Sequence, residues 1–306
     1  MKYQIFSDES GHSRFRSIGV LSGEKTDIDN LRSELIIILE GGDRNSIEFK
    51  KIDGDKNKEI VAIKFVEKGI EYCVNKKIRM DILTWDTYDS RHEIIGRDDV
   101  KNFQMMYYKV LKWVKQCWKH KNMVWDFYPD ENSAVKWKKL MNCLENTNLS
   151  KEIEIDNTLF GEIRNMHFPS FQSHSEVKSD TEPITQLIDI FTGFARYSFE
   201  KGKKFLAWRE NKKNQNQLTL FGDSKIRVEL SRGDASKFKV LKILDNLCKD
   251  RKMGVSIKGN SYLCTFSPSN PLNFWPYKPQ HEADKAPIRL GKHRGKSGRE
   301  SLDVTP

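Results

Sequence analysis

Hydrophobic and polar positions along this chain alternate between strand-like and helix-like periods. Lys2–Ser7 is a short apolar-rich run that stops at Asp8-Glu9-Ser10-Gly11, as a strand does when it ends in a turn. Arg16–Ser22 reads as a second strand, so the pair predicts a hairpin. Asp27–Glu40 carries apolar residues at helical spacing and is closed by Gly41-Gly42. Lys56–Tyr72 repeats the helical period, and Lys77–Trp85 alternates as a strand. Val100–Lys119 is a long aromatic-rich helix, with Asp98 and Asp99 at the end where the helix dipole favours carboxylates. Asn122–Tyr128 predicts a strand, Asn165–Phe171 another, and Pro183–Glu200 an amphipathic helix with its proline near the start.

A hairpin, further strands and intervening helices predict an α/β fold, a mixed sheet with helices on both faces. From Lys201 to Gln217 the chain turns polar and basic and reads as a linker or exposed loop. Beyond it, a helix over Ser236–Lys249 and a strand pair across Gly254–Phe266 predict a smaller basic α+β unit. The expected organisation is a main domain over 1–203, a linker over 204–224, a C-terminal unit over 225–284 and a disordered basic tail over 285–306.

Composition adds an electrostatic division. The 306 residues carry a formal net charge of +10. Residues 201–306 hold 23 Lys and Arg against 10 Asp and Glu, whereas residues 1–200 hold 30 against 33. A slightly acidic front part suits metal binding, and a basic back part suits contact with a polyanion; solvated surface lysines would give the same count. No apolar run approaches the length of a membrane span, and the N-terminus shows no signal-peptide pattern, so a cytoplasmic address is expected. The five cysteines show no C-x-x-C spacing and are expected to be reduced thiols rather than zinc ligands or disulfides.

The candidate chemistry lies in the acids. Two-metal phosphodiesterases need several carboxylates converging from rigid elements. Asp8 ends the first strand, Asp126 lies at the end of a later one, Asp189 sits among apolar residues on a helix, and Glu48 lies in Ser46-Ile47-Glu48-Phe49-Lys50-Lys51. An acid in an apolar stretch is costly unless it is paired or bound to a cation. Each also has a structural reading: Asp8 capping a turn, Asp126 ending a strand before Pro129, Asp189 pairing with a lysine. Glu9 should point to the other side of the strand from Asp8 and is kept as a supporting residue. His167 and His174 are candidate proton shuttles or outer ligands, and Asp86, Asp89, Asp98 and Asp99 are reserves.

Asp8-Glu9-Ser10-Gly11 after an N-terminal strand, the Glu48-Phe49-Lys50 run and the Gln186-Leu187-Ile188-Asp189-Ile190 helix together resemble domain-of-unknown-function family 3800. That family is regarded as RNase H-like and nucleolytic, and the resemblance covers roughly residues 1–200. It implies Asp8, Glu48, Asp126 and Asp189 as the acidic set holding two Mg²⁺ or Mn²⁺ ions, with Lys50 and Gln186 close by. Ile188 departs from the pattern, which calls for a smaller residue before the acid.

Gln217-Leu218-Thr219-Leu220-Phe221 closely resembles the bacterial sliding-clamp binding pentapeptide, in which Gln217, Leu218, Leu220 and Phe221 would be the anchors. The same leucines would also suit a strand opening the C-terminal unit. Phe274-Trp275-Pro276-Tyr277-Lys278 reads either as a base-stacking segment or, preferably, as a clamp holding the C-terminal part on the core. Lys285, Arg289, Lys292 and Arg294 in the tail are candidate phosphate contacts. The function expected is a metal-dependent nuclease, with DNA slightly preferred over RNA through the clamp-like peptide. The rivals are a non-catalytic nucleic-acid or clamp-binding adaptor and a phage-defence effector that needs a partner.

Overall fold

The computed structural model describes residues 1–11, 14–92, 97–118, 124–131, 135–145, 148–149, 166–167, 171–216 and 229–278. The hairpin forms as β1 (Lys2–Ser10) and β2 (Phe15–Glu24), and α1 (Lys25–Gly41) follows directly. Next come α2 (Lys56–Val74), β3 (Ile78–Asp86), α3 (Asp99–Cys117), β4 (Val124–Pro129) and α4 (Trp137–Glu145). The short strands β5 (Asn148–Leu149) and β6 (Met166–His167) pair with each other, apart from the main sheet. The remaining elements are β7 (Phe171–His174), α5 (Pro183–Asn216), α6 (Arg232–Asp250), the paired β8 (Val255–Ser256) and β9 (Cys264–Thr265), and β10 (Leu272–Pro276). The five cysteines are free thiols.

The main sheet has six strands in the order β10-β3-β2-β1-β4-β7. β2 is antiparallel to β1 and to β3; every other neighbouring pair is parallel. The sequence explains the two faces. Side chains alternate along a strand, so Tyr3 and Ile5 of β1 and Trp125 and Phe127 of β4 turn toward α3 and α4. Phe6 and Tyr128 turn the opposite way, stack with ring centroids 4.9 Å apart, and join a core made with α1, α2, α5 and α6. Asp8 has the parity of Phe6, and Asp126 and Asp130 have that of Tyr128. All three therefore belong to the α5 face.

Two expectations need correction. The stretch after Lys201 is not a linker: α5 continues unbroken to Asn216, because polar residues with good helix propensity extend a helix whose first half is already packed. Nor does the C-terminal part stand as a separate unit. Phe238, Leu241 and Leu244 of α6 lie in the α5-side core, and β10 is the edge strand beside β3. A buried Arg79–Asp81 pair fastens that edge: Asp81 also accepts hydrogen bonds from Trp113 (3.0 Å) and Asn273 (2.9 Å). Phe274 is buried in this arrangement, in keeping with the clamp reading of the Phe274–Lys278 segment.

Candidate active site

The C-terminal ends of β1 and β4 lie side by side. Ser7 pairs with Pro129, and the Asp130 N–H donates to the Ser7 carbonyl (2.9 Å), which brings Asp130 next to Asp8. The Asp130 carboxyl is held by backbone N–H groups of Glu131 and Ser179 and lies within hydrogen-bonding reach of Asp8. Across the sheet, Asp8 is in register with Gly19 of β2. A Cβ at Gly19 would stand 1.9 Å from Thr192 Oγ1 and 2.9 Å from Ile188 Cγ1, so this glycine lets α5 approach the sheet closely. That approach carries Asp189, between Ile188 and Thr192, to Asp8, and the two carboxyls are in hydrogen-bonding reach.

Glu48 is delivered by an extended segment pinned to α5 at two points. Gln186 Oε1 accepts from the Ile47 N–H (3.1 Å), while its amide donates to the Asp180 carbonyl (3.2 Å). Asp189 Oδ2 accepts from the Phe49 N–H at 2.6 Å. The Phe49 ring then fills a notch at Gly193, where a Cβ would come within 2.1 Å of the ring, and meets Phe194 edge-on at 5.0 Å. Lys50 and Lys51 both pair with Glu48, the former at 2.7 Å. Lys50 is otherwise exposed and close enough to feel the charges of Asp189 and Asp8.

Electrostatics mark the cluster. Burial pushes the Asp8 carboxyl well above the ordinary carboxylate range, and the charges of Asp189, Glu9 and Asp130 push it further. Burial also raises Asp189, to about 6, although the Phe49 N–H opposes the shift. Asp130 is raised chiefly by burial. Burial works to raise Glu48 too, but Lys50 and Lys51 outweigh it and hold that carboxylate below its usual value. Asp8 Oδ2 is buried and receives no hydrogen bond from the described residues. Among the described residues, no three His, Cys, Asp or Glu side chains are already drawn to metal-ligand spacing.

Asp126 is not part of this cluster. It lies four residues before Asp130, about 13 Å back along the strand at ~3.3 Å per residue. There it pairs with Lys2 at 2.9 Å and accepts from Ser173 Oγ at 2.6 Å. Glu9 faces the opposite side of the sheet and accepts from Tyr107 Oη at 2.7 Å. His174 is exposed in β7 at the level of Phe127, short of the strand end, and His167 falls in β6 outside the main sheet. Of the reserve acids, Asp86 pairs with Arg14, Asp89 with Arg91, and Asp98 caps α3 by accepting from the Lys101 N–H. The clamp-like residues Gln217, Leu218, Leu220 and Phe221 lie outside the described residues, as do Lys285, Arg289, Lys292 and Arg294.

Over 299 residues, this chain is 32% identical to the uncharacterized protein ORF2′ of Methanothermobacter thermautotrophicus and 31% identical to ORF2 of the same organism. Each alignment covers 93% of this chain and 97% of the relative. The chain belongs to the ORF2 family. No family model matches it.

Sequence reasoning missed Asp130 in this ORF2-family chain, and the signal was present. Asp126, Tyr128 and Asp130 share strand parity, and the acid at the strand's end rather than its start is the one that can meet Asp8. Ending the strand at Tyr128 hid this. Arg196 was also missed: two turns beyond Asp189 on α5, it donates from Nε to Ser10 Oγ at 3.1 Å.

Proposed function

We propose that this protein is a metal-dependent nuclease of RNase H-like architecture, with Asp8, Asp130, Asp189 and Glu48 as its acidic set. The observation that carries this reading is the meeting of Asp8 and Asp130 at the ends of adjacent parallel strands with Asp189 from the helix packed across them. The order β3-β2-β1-β4-β7, with β2 alone antiparallel, supports the RNase H-like assignment and the family 3800 resemblance. The donors suit Mg²⁺ or Mn²⁺, which take hard oxygen ligands. A buried carboxylate oxygen without a donor among the described residues, at Asp8 Oδ2, is a place for such an ion to replace a missing partner.

When bound, two divalent ions would supply an activated water and stabilise the leaving oxygen. The chain's own part is to hold and orient. Gln186 and Asp189 fix the Ile47–Phe49 backbone and so place Glu48. Lys50, paired with Glu48 at 2.7 Å, would offset charge on a phosphate if Glu48 held a cation. A cleft of about 340 Å³ lined by Ser46, Ile47 and Asp43 is also bordered by Arg44, Lys51 and Lys58, whose charges suit flanking phosphates. Recruitment by a sliding clamp through Gln217–Phe221 remains part of the proposal, since that peptide follows α5 directly at Asn216.

Cleavage of labelled single- and double-stranded DNA and RNA with Mn²⁺ or Mg²⁺ tests this reading. Metal-dependent cleavage is expected, falling at least a hundredfold in Asp189→Ala. Undiminished cleavage in that variant would remove the site assignment.

A further inference from the structure

At the acid-bearing end of the sheet, aromatic rings and guanidinium groups form a continuous row. Tyr262 and Phe199 are stacked, with centroids 4.1 Å apart and planes 10° apart. Phe199 of α5 meets Phe15 at the start of β2 at 5.2 Å. The Arg14 guanidinium lies 5.0 Å from the Phe15 ring and 5.6 Å from the Tyr88 ring. Tyr88 is 69% exposed, and Phe15, Phe199 and Tyr262 are partly open to solvent. Tyr88 thus adds an exposed ring beside the partly open rings of the row.

The row is held rigidly. Asp86 grips Arg14 through Nε and Nη2, and the Thr87 N–H donates to the Arg14 carbonyl at 2.7 Å. That leaves Arg14 Nη1 without a hydrogen-bond partner among the described residues. Arg196 links the row to the acid cluster. Its side chain crosses Gly11, whose φ of +97° and crowded surroundings exclude a side chain, and it contacts Ser10, two residues or about 7 Å beyond Asp8.

We infer that this row is a track for single-stranded nucleic acid leading into the acid site. The inference rests on the proposed nuclease reading and names its substrate class. Unpaired bases expose both ring faces for stacking on Tyr262 and Tyr88, whereas bases in a duplex are already stacked on each other. Arg14, set between the Phe15 and Tyr88 rings, matches the phosphates that separate successive bases, while Arg196, held by Ser10 and Glu200, lies between the row and the acid cluster. Phe199 lies almost three helical turns from Asp189 on α5, so a strand bound here enters the site lengthwise.

The test is fluorescence anisotropy in EDTA with the full chain. The probes are fluorescein-labelled oligo(dT) and oligo(U) of about 20 nucleotides, long enough to exceed one site, and an oligo(dA)·oligo(dT) duplex of the same length. Both single strands should bind at least tenfold more tightly than the duplex. Tyr88→Ala combined with Tyr262→Ala should weaken single-strand binding by about tenfold or more, and the corresponding double Phe variant should retain it. If the Tyr262 change disturbs folding by circular dichroism, Tyr88→Ala alone should still weaken binding about fivefold. Equal or tighter duplex binding, or an Ala variant that binds like the parent, would overturn the track. Because no metal is present, these outcomes are separate from cleavage: ring-dependent binding without metal-dependent cleavage keeps the track and removes the nuclease, and cleavage without ring dependence does the reverse.

Discussion

Asp8→Asn is expected to make the metal-free protein more stable at mildly alkaline pH, although it removes a residue proposed to be essential. The Asp8 carboxyl is pushed well above its ordinary range by burial and by Asp189, Glu9 and Asp130, and burial raises Asp189 to about 6. An acid whose value is raised by folding holds its proton more tightly in the folded chain. Its contribution is fully present below the unfolded value, about 3.9, and is lost as pH rises through the folded value. The parent protein should therefore lose stability from about pH 4 upward through the raised values of the cluster. Asparagine fills the same space without a charge, and no donor is stranded because none of the described residues donates to Asp8 Oδ2. Removing that buried charge should raise the Tm by several degrees at the alkaline end. Thermal melts in EDTA across pH 4 to about pH 8 check this: the two proteins should converge at the acid end and separate above it. A variant that melts below the parent at about pH 8 would show that the Asp8 charge is already compensated.

Gly19→Val should act in the opposite direction and break both fold and site. The new side chain would enter space held by Thr192 Oγ1 and Ile188, so α5 must move off the sheet. Overpacking of this kind costs about 3 kcal/mol, near the upper end of what such substitutions usually cost, and a Tm fall of roughly 6 °C follows for a chain of this size. Asp189 moves with the helix, away from Asp8, and takes with it the Phe49 N–H bond that positions Glu48. Loss of metal affinity should therefore accompany the loss of stability. Thr192→Ala in the Gly19→Val background should recover part of both, because it removes the nearest atom. A Gly19→Val protein that melts like the parent would mean that α5 does not need its close approach.

The periodicity of the chain made most of this fold legible. The apolar run of Lys2–Ser7, the alternation of Lys77–Trp85 and the helical spacing of Asp27–Glu40 and Lys56–Tyr72 appear as β1, β3, α1 and α2 with ends shifted by a few residues. What stayed hidden depends on partners distant in sequence. β10 is five residues long, and nothing local marks it as the neighbour of β3; the Arg79–Asp81–Asn273 network does that across almost two hundred residues. The composition of Lys201–Asn216 suggested a linker, since polar residues suit exposed helix and loop alike. In the site, Asp8, Glu48 and Asp189 could be picked from their local settings. The fourth acid depended on where β4 stops, and strand ends are the least legible feature of a pattern. Asp126 looked conspicuous because it lies among aromatic residues, yet Lys2 and Ser173 already satisfy it.

Asp130 and Asp126 differ in whether a cation can use them: one ends its strand beside Asp8, the other is held by Lys2 and Ser173. Isothermal titration of Mn²⁺ into the metal-free full chain tests this difference directly, with Asp130→Asn and Asp126→Asn compared with the parent. Mn²⁺ should bind the parent, keep its affinity in Asp126→Asn and lose at least tenfold in Asp130→Asn, about the effect of removing one charged oxygen ligand. An Asp130→Asn protein that binds Mn²⁺ as the parent does, or a parent that binds none, would contradict the proposed site.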